Sequence, residues 1–209
     1  SGSRRLPGEN YNLISNQTLY AEWIPYSSFT YSSPLGDKVI IEDLKNRNIR
    51  YIILPSEING KTVTEIRNLA LNENNALVSV TIPDGVSSVN ADSFSNCFAL
   101  REVLVDSGNE SYSSREGVLF NKNQTEFIFY PPRKGGSSYT IPEGVTDISG
   151  FAFQGNETLT SSTLPSSLIT IRNYAFSYCY GITSITIPAN VTSIGDLGTT
   201  SSNLVNIYV

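Results

Sequence analysis

Four stretches of this chain are versions of one unit. They read TIPDGVSSVNADSFSNCFALREV from Thr81, TIPEGVTDISGFAFQGNETLTSS from Thr140, TLPSSLITIRNYAFSYCYGITSI from Thr163 and TIPANVTSIGDLGTTSSNLVNI from Thr186. Pro142, Pro165 and Pro188 stand 23 residues apart. A unit this short cannot enclose a core of its own, so it becomes stable only when its neighbours cover both of its faces. The spacing therefore predicts a stack of coils before any chemistry is considered.

Each unit alternates. In GITSITIP the residues Ile182, Ile185 and Ile187 face inward while Thr183, Ser184 and Thr186 face out, the period-two signal of a strand. Pro188 cannot donate to a ladder and ends that strand. Val191 and Ile194 are expected to point inward from a second extended run, and NYAFSYC is expected to form a short helical or 3₁₀ turn with Phe176 in the core. Counting from Ile66, Val89, Ile148 and Ile171, the fifth residue is Leu71, Phe94, Phe153 or Phe176. The eighth is Asn74, Cys97, Asn156 or Cys179. This Asn/Cys position matches the leucine-rich pattern. An inward Asn inside a turn can bond backbone groups that reach no strand, and Cys fits the same space as a weaker donor. Stacked coils separate Cys97 from Cys179 by roughly 10 Å or more, beyond the reach of a disulfide.

The 209 residues carry a net charge of −5, with 39% hydrophobic and 16% charged side chains. These values exclude a disordered or strongly charged chain. No basic patch is legible, so nucleic acid is not an expected partner. No apolar run approaches 18 residues, so no membrane-spanning helix is expected in this segment. The chain has no Met, which suggests a processed product or a piece of a longer protein. It has no His, which removes His-based general bases, Ser–His–Asp triads and His metal sites from this segment.

The expected organisation has two parts. Residues 1–28 form a linker or the tail of a preceding module. In it Leu19, Tyr20, Ala21 and Trp23 resemble the closing Leu-Tyr-Ala-x-Trp strand of small β-grasp-like modules found beside surface repeats. Residues 29–209 form the repeat domain. Within it, residues 29–54 read as an N-terminal cap built on the β-type runs KVIIEDL and IRYIIL. Five extra residues around Asn59-Gly60 read as a turn bulging from the first coil. Residues 106–138 read as a hairpin insert, with strands Val118–Phe120 and Phe127–Tyr130 joined by NKNQT, that widens one coil. Residues 189–209 read as an atypical last repeat, in which GDLGTTSSN replaces the Ala-Phe-x-x-Cys segment. The fold class expected is a β-rich α/β solenoid, a single elongated leucine-rich repeat array of ~23-residue coils.

The combination Ile-Pro-x-x-Val-x-x-Ile-x-x-x-Ala-Phe-x-x-Cys-x-x-Leu-x-x-Ile resembles the BspA-type leucine-rich repeats of bacterial and some protist surface proteins. SEINGKTVTEI and NESYSSREGVLFNKNQTEFIFYPP resemble segments of the same family, and the resemblance covers residues 39–209. It implies an extracellular or cell-surface protein engaged in adhesion or protein binding. It implies no enzyme activity and supplies no catalytic residues. Ser162 departs from it, standing where Ile or Val is usual.

Catalytic and metal constellations are sparse. There is no Gly-rich phosphate loop and no Gly-x-Ser-x-Gly. Glu102, Asp106, Glu110 and Glu116 are the carboxylates that could pair for glycoside hydrolysis, but polar turns and a strand edge suit them better as solvated groups. DSGNES carries oxygen ligands for Ca²⁺ without a full set, and reads as a turn. No catalytic residue, cofactor or metal is expected. Five Asn-x-Ser/Thr sequons occur, at Asn16, Asn109, Asn123, Asn156 and Asn190, and Asn156 is expected to be buried.

The candidate binding face is the outward side of the main sheet. One row is Ser79, Glu102, Ser161, Ser184 and Asn206, and the next is Thr81, Leu104, Thr163, Thr186 and Tyr208. Ser and Thr also serve simply as β-compatible cover for a solvated face. Tyr174, Tyr178 and Tyr180 form a second candidate patch on the turn side. The expected partner is a host matrix or surface protein, with a glycan as an alternative. The competing functions are a stalk that displays other domains and a carbohydrate-binding or carbohydrate-active module.

Overall fold

A computed structural model describes residues 24–34, 36–199, 203–204 and 206–208. The Leu-Tyr-Ala-x-Trp segment lies outside them. The N-terminal region holds a 3₁₀ turn at Tyr26–Ser28 and strands β1 (Phe29–Ser32), β2 (Lys38–Leu44), β3 (Tyr51–Ile53), β4 (Glu57–Ile58) and β5 (Lys61–Ile66). Next come β6 (Ser79–Ile82), a 3₁₀ turn at Ala91–Phe94, β7 (Glu102–Val105), β8 (Tyr112–Arg115), β9 (Val118–Asn121) and β10 (Glu126–Phe129). The C-terminal region holds β11 (Ser138–Thr140), β12 (Asp147–Ile148), β13 (Ser161–Thr163), β14 (Thr170–Ile171), β15 (Ser184–Thr186), β16 (Ser193–Ile194) and β17 (Asn206–Tyr208).

The strands wind into a single elongated solenoid of about seven turns. The sequence period sets the register. Ser79 lies beside Glu102, Ser138 beside Ser161, and Asp147, Thr170 and Ser193 lie side by side, each step being 23 residues. The first step, Tyr51 to Ser79, is longer by five residues, and the last, Ser184 to Asn206, is shorter by one. The five residues form a hairpin in which β4 pairs antiparallel with β5. Asn59 and Gly60 both adopt positive φ there, the requirement of a tight Asn-Gly turn.

Four of the coils repeat the same backbone bond. Val86, Val145, Leu168 and Val191 donate to the carbonyls of Pro83, Pro142, Pro165 and Pro188, closing the turn that follows the first strand. Successive coils are joined in the turns as well as in the strands. Leu71 donates to Ser93, Phe153 to Ala175 and Gly155 to Ser177. The proline thus ends one strand and supplies the acceptor that starts the next corner.

The expected hairpin is present as β9 and β10, and a further strand, β8, extends it. β8, β9 and β10 form a three-stranded antiparallel meander, and β10 then pairs in parallel with β12. β10 therefore occupies the second-strand position of a coil. β8 escapes sequence reading because YSSR carries no apolar alternation. Its place is held by Tyr112, whose hydroxyl accepts from the Val89 N–H and donates to the Val89 carbonyl.

Other expectations also need correction. The Ala-Phe segment is 3₁₀ only at Ala91–Phe94, whereas NYAFSYC forms hydrogen-bonded turns. KVIIEDL and IRYIIL enter different sheets, β2 beside β1 and β5, β3 beside β6. Ile194 is 47% exposed, because β16 has a strand neighbour on one side only. Val191 does point inward as expected, half-buried against the C-terminal apolar cluster.

Candidate binding surfaces

The solenoid uses one side chain in two for its interior and leaves the other for solvent. On the first-strand face the predicted rows fall into three ladders, β3-β6-β7, β11-β13 and β15-β17. The meander separates the first from the second. Ser161, Thr163, Ser184, Thr186, Asn206 and Tyr208 are exposed, and Thr81, Glu102 and Leu104 are half-buried. Ser79 is only 6% exposed, because Tyr51 and Glu102 flank it in register, so it offers little to a partner. The same rows continue through Tyr51, Ile53, Ser138 and Thr140, which sequence reasoning missed. Thr140 stands two residues before its proline, as Thr81, Thr163 and Thr186 do, so the signal for it was present.

Behind this face the eighth-position residues line the interior. The Asn74 amide donates to the Ile49 carbonyl, 3.1 Å away in the preceding coil, and its oxygen accepts from Ala76 N–H. Asn156 donates toward Pro131 and accepts from Leu159 N–H at 2.8 Å. Cys97 takes the same route with its thiol on the Leu71 carbonyl. Cys97 and Cys179 are both free thiols. Burial pushes each thiol up to about 12, so both are neutral near pH 7. Asn109 has a similar role that its sequon concealed. It is fully buried, its amide donates to Pro83 and Val86, and its oxygen accepts from Ser111 and Tyr112.

On the turn side, Tyr174, Tyr178 and Tyr180 are each more than two-fifths exposed. They form two pairs. Tyr174 stacks on Phe151 at 5.3 Å, and Tyr178 meets Tyr180 edge-on at 6.4 Å. Tyr174, Tyr178 and Phe151 all have positive φ. Such backbone is costly for bulky residues, and the regular corner geometry imposes it here.

The carboxylates considered for catalysis are dispersed over β7 (Glu102), the DSGNES turn (Asp106, Glu110) and the β8–β9 turn (Glu116). Asp106 is occupied in the turn itself, accepting from Gly108 N–H. Glu110 helps to line an open polar hollow of about 420 Å³ with Glu57 and Asp84. Among the described residues no three His, Cys, Asp or Glu side chains are grouped so that they could hold a metal ion. No helix among them is long and apolar enough to cross a membrane.

Residues 43–134 and 125–209 match the BspA type Leucine rich repeat region, in six copies. No curated protein matches the chain. A solved leucine-rich repeat protein from Eubacterium ventriosum is similar at 19% identity and TM-score 0.52, over 82% of this chain and 67% of that one. A leucine rich cell surface protein from Faecalibacterium prausnitzii is similar at 22% identity and TM-score 0.54, over 88% of this chain and 53% of that one. The chain thus spans about half the length of the second. At these identities the likeness is one of fold.

Proposed function

The chain belongs to the BspA-type leucine-rich repeat family, and from that premise we propose that it is a non-catalytic protein-binding module of a secreted or cell-surface bacterial protein, used in adhesion. The observation that carries this reading is the first-strand face. Ser161, Thr163, Ser184, Thr186, Asn206 and Tyr208 are exposed and held at ladder spacing by strands that are themselves fixed by the core. A rigid, pre-ordered face loses little entropy when a partner covers it. Tyr208 supplies apolar contact beside these hydroxyls, and the half-buried Leu104 supplies it on the separate N-terminal ladder. The cell-surface assignment is supported by the F. prausnitzii protein of the same fold, which is described as a cell surface protein.

The test is binding of the folded chain to immobilised host matrix proteins. Thr163→Arg and Thr186→Arg should abolish a specific interaction while leaving the thermal midpoint unchanged, since both side chains are exposed. A stalk is the second reading. It is favoured by the unbroken Ser/Thr cover of Ser138, Ser161 and Ser184 and of Thr140, Thr163 and Thr186. A folded chain that binds no matrix protein would favour the stalk.

A further inference from the structure

We propose that a groove at the entry to β3, β6 and β7 binds an anionic polysaccharide, a sulfated or uronate-bearing chain running along the array. The groove has a volume of about 380 Å³ and is walled by Arg50, Arg101 and Arg133. Its floor is small and shallow, made by Ala76, Val78 and Ala99, with the Asn75 amide at its side.

The backbone places the arginines in a line. Val78 N–H donates to the Arg50 carbonyl, Arg101 N–H donates to the Val78 carbonyl, and Arg133 N–H donates to the Leu100 carbonyl. Arg50, Val78, Arg101 and Arg133 thus belong to successive coils. With about 4.8 Å between neighbouring strands, Arg101 stands roughly 10 Å from Arg50 at the backbone, and Arg133 roughly 5 Å further. The three residues thus line one groove from successive coils.

The row is electrostatically open. No carboxylate lines the groove. Among the described residues, Arg47, Arg67, Arg133 and Arg172 are paired with acidic side chains, but Arg50 and Arg101 are not. Arg50 lies over the Tyr51 ring, 5.8 Å from its centroid, which leaves the edge of the guanidinium for a ligand. Arg133 shares its charge with Glu157 at 3.2 Å, a half-exposed pair that an incoming anion can compete for. The chain as a whole is acidic, at −5, so its general field repels polyanions and any attraction must be local.

The shape selects among anions. Planar guanidiniums match sulfate and carboxylate oxygens in pairs. An acidic peptide would gain its affinity from side-chain pockets or by lying along a free strand edge, whereas this shallow trough runs across successive coils and not along a strand. Single-stranded nucleic acid binds grooves with interleaved aromatic platforms, and no aromatic residue lines this one. A stiff glycan chain bearing charges at intervals requires only the row and a shallow trough. This surface is distinct from the exposed first-strand face, and the proposal goes beyond the protein-binding reading.

The experiment is titration of the folded chain with heparin fragments and with hyaluronan at low salt. Polyglutamate and a single-stranded oligonucleotide serve as competing polyanions. Binding of either polysaccharide, weakened by salt and weakened about tenfold for each arginine removed in Arg50→Ser and Arg101→Ser, is the expected result. Arg172→Ser, which removes one positive charge elsewhere, should leave the affinity within about twofold, and circular dichroism should show all variants folded. Three results would overturn the proposal: neither polysaccharide binds the folded chain, Arg172→Ser weakens binding as much as Arg101→Ser, or polyglutamate or the oligonucleotide binds more tightly than both glycans. A negative result leaves the strand-face reading standing, because its variants alter other residues.

Discussion

Ser162 carries a buried hydroxyl oxygen that has no hydrogen-bond partner. It sits in β13 beside Tyr139, at a position held by Val80, Val103, Ile185 and Ile207 in other coils. An unpaired buried hydroxyl costs about 1–3 kcal/mol, and an apolar side chain that the coil accommodates, as it does Val80 and Val103 at the equivalent position, removes that cost. Ser162→Val is therefore expected to stabilise the protein by about 1–2 kcal/mol, read as a higher urea midpoint at unchanged slope. The two thiols make the opposite kind of statement. Cys97 and Cys179 lie near 9 when unfolded and are raised to about 12 by burial. Above pH 9 the unfolded chain loses these protons while the folded chain keeps them, so stability is full below pH 9 and falls as pH rises toward 12. Urea midpoints from pH 8 to 11 should decline, and Cys97→Ala together with Cys179→Ala should flatten that decline. Tyr139, also raised to about 12, and Tyr112 and Tyr130, both raised by burial, contribute to the slope that remains.

At the scale of the element, the repeat's Phe position does more than fill space. The Phe153 and Phe176 rings are 5.0 Å apart and nearly parallel, and Phe127 stacks on Phe153 from the other side at 4.9 Å. Phe94 has no repeat neighbour on the side of the insert, and Phe129 stacks on it at 5.2 Å. Phe127 and Phe129, both on β10, thus stand in for the aromatic residue that the missing coil would have supplied. Phe176→Ala removes one ring from this column and should cost about 3–5 kcal/mol by thermal or urea unfolding. An unchanged midpoint would exclude the residue from the core. The column explains what sequence could and could not disclose. The 23-residue period disclosed most strand pairs and inward residues, because the regular coils repeat the same corner bonds. β8 was invisible, because Tyr112 holds it through a hydroxyl contact to Val89 and no periodic signal encodes that. The burial of Ser79 was equally hidden, since it depends on Tyr51 and Glu102 two coils apart. The arginine row was concealed because Arg50, Arg101 and Arg133 are far apart in a chain of acidic balance and meet only through coil stacking.

At the scale of the whole molecule, the meander is a partition. The interior divides into two apolar clusters, one holding Ile52, Leu77, Phe94 and Leu100, the other holding Val145, Phe153, Leu168 and Phe176. β9 contributes to both, with Val118 and Phe120 in the C-terminal cluster and Leu119 in the N-terminal one. β10 does the same, with Phe127 in one cluster and Ile128 and Phe129 in the other. Strands buried on both faces read as continuous apolar runs, which accounts for VLF and FIFY. In a stacked array stability is a sum of coil and interface terms, so damage on one side of a partition need not spread fully to the other. Leu119→Ala and Phe120→Ala alter adjacent residues of one strand and therefore separate the two sides. Leu119→Ala is expected to lower amide-exchange protection mainly in β6 and β7, and Phe120→Ala mainly in β12 and β14. Identical protection maps for the two variants would mean that the clusters open as one unit, and that β9 couples them instead of dividing them.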